Sequence, residues 1–142
     1  MERKRRSVAG IAVKDGRLFI ARRKPGGELG GKWEFPGGKA EEGESDEAAL
    51  LREYAEEFGL SIRTGPLLAG ASFTHKGLVF GLNAYRIFFE EGEPRENTRL
   101  SEHTEWRWAA LGEIERLDFA GSDRGLFPGL EMYLKHEAGI KE

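Results

Sequence analysis

Three carboxylates crowd the end of one short stretch. In Ser45–Phe58, Glu53, Glu56 and Glu57 fall where a helix would bring them together at ~100° per residue, while Leu51, Tyr54, Ala55 and Phe58 share the roughly opposite, packing face. Ser45 suits an N-cap, Asp46 and Glu47 suit the positive helix end, and Gly59 suits termination. The acids stand at the wrong end. Anions in a last turn cost ~0.3–1 kcal/mol each against the helix dipole, and the like-charge pairs Glu53/Glu56 and Glu53/Glu57 add a few tenths. A hard divalent cation reverses the sign of every term, because Mg²⁺ seeks carboxylate oxygens and keeps positions open for water and phosphate.

The elements around this helix must supply access. Gly26, Gly27, Gly30, Gly31, Gly37, Gly38 and Gly43 make the preceding segment an irregular loop that approaches something closely. Ahead of it, Val8–Val13 and Leu18–Ala21 are rich in strand formers, and Asp15-Gly16 between them predicts a hairpin. The second strand runs into Arg22-Arg23, whose opposite orientations let one arginine reach a cleft. Further strands are expected at Leu67–Phe73, Leu78–Phe89 and Glu105–Ala110, with an acidic loop from Glu90 to Thr98, making a sheet of at least five strands. A last helix is expected from about Asp123 to Glu137, with Leu126, Leu130, Tyr133 and Leu134 at helical spacing. The expected fold class is α/β, one domain over residues 1–142 with helices packed on a mixed sheet.

Composition narrows the chemistry. With 142 residues, 33% charged and 39% hydrophobic, the chain reads as one globular domain. It has no cysteine, which excludes disulfides, thiolate catalysis and cysteine-ligated metal clusters. The formal net charge of −3 argues against a nucleic-acid polymer as partner. Charges interrupt every apolar run, so no membrane span is expected. The basic start, Arg3 to Arg6, resembles that of a signal peptide, but Val8–Val13 is a short run closed by Lys14-Asp15-Gly16 with no small-residue cleavage site behind it, and we expect a cytoplasmic protein. The sequence sets no oligomeric state. His75, His103 and His136 are too scattered for a zinc site by local spacing and read as surface or satisfied histidines. No G-x-x-x-x-G-K-[ST] occurs, which removes the P-loop alternative.

From Gly38 the chain gives five residues, Glu44, seven residues, Arg52-Glu53-Tyr54, one residue, Glu56-Glu57, one residue, Gly59-Leu60. This resembles the Nudix box at every fixed position. At this chain's own residue frequencies, such a match arises by chance with a probability on the order of 10⁻⁵. Tyr54 takes a place where the family more often has an aliphatic residue. Trp33-Glu34-Phe35-Pro36-Gly37-Gly38-Lys39 resembles the MutT-like branch, the nucleoside triphosphate pyrophosphohydrolases that sanitise oxidised nucleotides.

The resemblance implies a Nudix-type α/β/α sandwich. It implies that Glu53, Glu56 and Glu57 ligate Mg²⁺, or Mn²⁺ in its place, with a carbonyl of Gly37 or Gly38, and that Glu44 and Arg52 support them. Water would attack an internal phosphorus, giving the monophosphate and pyrophosphate, with Glu53, Glu56 or the distal Glu102 as base and Glu105 a weaker rival. Arg23 and Lys39 suit phosphate oxygens, and Phe35 is a candidate wall for the base. Trp33, Trp106 and Trp108 read as packing residues. The segment Asp118–Asp123 resembles the one that reads the base, with Asp123 where the oxidised-guanine specialist carries an amide. An ionised Asp only accepts, whereas an amide also donates. Strict 8-oxo-dGTP selectivity is therefore open beside a pyrimidine substrate such as CTP or a methylated dCTP, or another nucleoside diphosphate derivative. A rival of another class is a non-catalytic nucleotide-sensing module, which usually loses box acids that this chain retains.

Overall fold

The computed structural model describes residues 5–141. Arg3 and Lys4 of the basic start lie outside the described residues. The elements run β1 (Arg6–Ile11), β2 (Val13–Lys14), β3 (Arg17–Arg23), β4 (Trp33–Glu34), β5 (Gly37–Lys39), α1 (Asp46–Phe58), β6 (Ile62–His75), β7 (Leu78–Phe89), β8 (His103–Ala109), α2 (Leu111–Ile114), α3 (Gly121–Arg124) and α4 (Phe127–Lys141).

The strands divide between two sheets where the sequence suggested one. The first has the order β5-β1-β7-β6 and is mixed, since β1 runs parallel to β7 while the other pairs are antiparallel. The second joins β2, β3 and β4, with β8 antiparallel to β3. The Asp15-Gly16 turn forms, with φ of 50° and 75°, both positive as a tight hairpin turn requires. However, it joins only Val13-Lys14 to Arg17-Leu18, and Val8–Ile11 crosses to the other sheet. The physical reason lies in the alternation. Val8 and Ala12 face the core under α1, Ala9 and Ile11 face the core under α4, and Leu18 to Ala21 alternate likewise. Strands buried on both faces leave the choice of partner to tertiary packing.

Helix α1 forms as its caps dictate. Ser45 Oγ accepts the N–H of Ala48 at 3.0 Å, and Gly59 closes the helix at φ 67°. The packed face is rotated from the one expected: Ala49, Leu50, Tyr54, Glu57 and Phe58 are buried, whereas Leu51 and Ala55 are exposed. Tyr54 is fully buried, and its hydroxyl donates to the Gly10 carbonyl at 3.0 Å. A side chain at residue 10 would meet its ring at 2.7 Å, so the aromatic is accommodated by a glycine opposite.

Both helix ends are fastened. Asp46 accepts from Tyr85 at 2.6 Å, from Asn83 at 3.2 Å and from Arg6. At the other end, Ser101 donates its Oγ–H to the Glu56 carbonyl at 2.9 Å and its N–H to the Glu57 carbonyl at 3.2 Å. This latch lies just before β8, after the acidic loop, and fixes where Glu102 begins. The expected C-terminal helix is split: α3 ends at Arg124 and α4 starts at Phe127 and runs on to Lys141, with Pro128 in its first turn where no N–H is needed. Helices thus flank the sheets on either side, an α/β sandwich. Among the described residues, no helix is long and apolar enough to cross a membrane.

Candidate active site

Two cavities adjoin between α1, the glycine-rich loop and the first sheet. The first, about 350 Å³, is lined by Glu53, Glu56, Glu57 and Glu102 together with Arg23, Gly37, Gly38 and Ser101. The second, about 260 Å³, is lined by Phe35, Leu82, Phe73, Lys39, Glu34 and Asp123 among others. Arg23, Gly37 and Gly38 border both. An acidic chamber thus opens onto an apolar one, with a guanidinium at the junction.

The acids are held in different ways. Arg52 grips Glu44 with both ends of its fork, Nε to Oε2 at 2.8 Å and Nη2 to Oε1 at 2.9 Å, and donates from Nη1 to Glu53 Oε1 at 2.9 Å. The Arg52 bond, reinforced by the N–H of Glu41, pulls the Glu44 carboxyl down to about 2. The same partners hold the Arg52 guanidinium firmly protonated. Burial pushes the Glu53 carboxyl up despite Arg52. Gly38 permits this packing, because a Cβ there would lie 2.6 Å from Glu53 Oε1.

Glu57 departs from the outward face expected of it. It is only 4% exposed, burial and the neighbouring Glu34 push its carboxyl up to about 9, and its Oε2 has no hydrogen-bond partner among the described residues. A buried carboxylate oxygen without a donor is costly unless a cation answers it. Glu56 and Glu102 are more open, at 62% and 44% side-chain exposure, and can meet water. This donor set, all carboxylate oxygen around one chamber, fits a hard divalent cation.

In the second cavity, Asp123 is buried and its Oδ2 accepts the main-chain N–H of Phe35 at 2.9 Å. Burial, with Glu34 nearby, pushes its carboxyl up to about 7. Phe35 is 2% exposed and packs edge-on against Phe119 at 4.9 Å, so it is both core and cavity wall. Lys39 Nζ lies 4.9 Å from the Phe80 ring centre. Glu105 stays outside both cavities, exposed and paired with Arg22 at 3.5 Å.

Two buried groups have no site role in the sequence: Glu34, and His103, which reads there as a surface or satisfied histidine and is buried and paired here. Glu34, 8% exposed, accepts from or donates to His103 Nε2 at 2.8 Å according to the proton's place, and lies 3.4 Å from Arg23 Nη1. His103, 5% exposed, stacks on Phe58 at 5.1 Å and 11°. Sixty-nine positions separate the pair along the chain. The available signals were the place of Glu34 between Trp33 and Phe35 and that of His103 beside Glu102.

Comparison with known proteins gives the family. The NUDIX domain family matches residues 3–130. A Mycobacterium tuberculosis protein provisionally named an 8-oxo-dGTP diphosphatase is 36% identical over 134 residues, 92% of this chain and 91% of the relative. The CTP pyrophosphohydrolase of Escherichia coli K12 is 31% identical over 127 residues, 89% of each chain. The solution structure of the E. coli ORF135 protein superposes with a TM-score of 0.76 at 29% identity, covering 96% of this chain and 92% of that one. This chain belongs to the Nudix family and is a MutT-like hydrolase of pyrophosphate bonds.

Proposed function

We propose that the protein hydrolyses nucleoside triphosphates to the monophosphate and pyrophosphate with Mg²⁺, or with Mn²⁺ in its place. The observation that carries this reading is the junction of an acidic and an apolar cavity at Arg23. Phosphates lie in the first with Arg23 as cation, and the base lies in the second against Phe35, where Lys39 supplies a further cation at the wall. Glu53, Glu56 and Glu57 hold the cation with a Gly37 or Gly38 carbonyl, Arg52 and Glu44 keep Glu53 in place, and the bound ion supplies neutralisation of phosphate charge. Glu53 accepts a hydrogen bond from Arg52 at 2.9 Å and is largely buried, whereas Glu56, 3.5 Å from the same guanidinium, and Glu102 are open to solvent, so the proton of the attacking water goes to one of these two.

Two buried carboxyl groups, Glu34 and Asp123, line the base cavity. Ionised, these carboxyl groups accept and do not donate and so select base edges rich in N–H: guanine, 8-oxo-guanine with its additional N–H, or the cytosine amine; Asp123, raised to about 7, gains a donor as the pH falls below that value. We place oxidised guanine first, with a role in cleaning the nucleotide pool, and cytosine second on the acceptor character of Asp123. The test is pyrophosphate release from a panel of normal, oxidised and methylated dNTPs and NTPs with Mg²⁺. Release fastest from 8-oxo-dGTP supports the first reading, release fastest from CTP or dCTP the second, and no release from any member overturns both.

A further inference from the structure

The Glu34, Glu57 and His103 side chains form a second cluster beneath the acidic chamber. One ligand atom from each, a carboxylate oxygen or a ring nitrogen, lies within 4.8 Å of the others, and all three residues are more than nine-tenths buried. Glu57 Oε2, fully inside, has no partner among the described residues. Arg23, 3.4 Å from Glu34, provides one positive charge for two buried carboxyl groups. Ligand atoms on one tetrahedral Zn²⁺ lie about 3.4 Å apart, so the spacing here closes on a cation with side-chain shifts of less than about 1 Å. The imidazole decides which cation. Nitrogen ligands suit Zn²⁺, Co²⁺ and other borderline metals, whereas Mg²⁺ takes oxygen.

We propose that Glu34, Glu57 and His103 bind a borderline divalent cation of the Zn²⁺ and Co²⁺ class, at a position separate from the magnesium set and sharing only Glu57 with it. Glu57 also borders the acidic chamber, which gives the cation an entry path. Stacking of His103 on Phe58 fixes the plane of the ring. The site is set by these three residues whatever base the enzyme prefers.

The test uses the metal-free full chain. Titration with Zn²⁺ alone is followed by the ring-nitrogen NMR signals of the histidines, and titration with Co²⁺ alone by its visible d–d absorption. One equivalent of Zn²⁺ should move the Nε2 signal of His103, and Co²⁺ should give tetrahedral-type bands. His103→Gln should abolish the bands and weaken Co²⁺ binding beyond the ~10–100-fold that a merely supporting residue costs, while Mg²⁺ binding by calorimetry is retained. Glu34→Gln should weaken Co²⁺ in the same way. An unmoved His103 signal in the wild-type protein overturns the proposal even if a variant misfolds, and so do unchanged bands in folded His103→Gln. Pyrophosphate release with Mg²⁺ alone, measured separately, reports on the hydrolase reading and not on this site.

Discussion

The Glu53 carboxylate fills the space where a side chain on Gly38 would begin, with Oε1 2.6 Å from that position. The obstacle is the far end of a flexible side chain, so Gly38→Ala should fold normally and displace only the carboxylate. We expect turnover to fall about 100-fold with little change in Tm, since a misplacement near 1 Å in a reacting site has that cost. Gly37 makes the contrast. Its Cβ would lie 2.0 Å from the Val8 carbonyl oxygen, a backbone atom, so Gly37→Ala should lose about 1–3 kcal/mol of stability by overpacking. Thermal melts and pyrophosphate release on the two variants check the pair.

Glu57 should oppose stability while serving the reaction. Its carboxyl is raised to about 9 from 4.5, so between these values the folded metal-free protein holds a proton that the unfolded chain releases, and stability falls as pH rises. Glu57→Gln removes this penalty. Its Tm should exceed that of the wild type at pH 8 by about 5 °C or more and by less at pH 5, while turnover drops by orders of magnitude. Equal Tm differences at both pH values would contradict the assignment.

Glu44 behaves in the opposite sense. With its carboxyl lowered from 4.5 to about 2 by Arg52, it stabilises the fold above pH 4.5, and that contribution is lost as pH falls toward 2. In Arg52→Gln, melting temperature should therefore depend less on pH between 5 and 2. Turnover should fall as well, because Glu53 loses the bond that orients it.

Asp123 separates folding from base choice. Asp123→Ala leaves the Phe35 N–H buried without an acceptor and should cost about 1–3 kcal/mol. Asp123→Asn keeps an oxygen for that N–H and adds a donor, so stability should be retained and selectivity for 8-oxo-dGTP over CTP should rise. Denaturant melts and competition between the two substrates test both statements.

Much of this architecture can be read from the chain because local chemistry enforces it. Ser45, Gly59 and the Asp15-Gly16 turn end up where their capping and φ preferences demand. Leu50 and Leu51 are adjacent and equally apolar, so periodicity alone cannot choose between them, and the charge on Glu57 argues for the outside that it does not occupy. The crossing of Val8–Ile11 to the first sheet is likewise invisible, since both its faces are apolar. The pairing of Glu34 with His103 depends on β3 lying between β4 and β8, a contact no motif spacing encodes.

The Ser101 latch separates two kinds of sequence. Ser101, at the entry to β8, is tied to the end of α1, whereas the exposed tip at Glu96 and Asn97 lies upstream of that fastening. Lengthening the tip leaves the register of β8, and with it Glu102, untouched. A reporter domain spliced there would ride on a working enzyme.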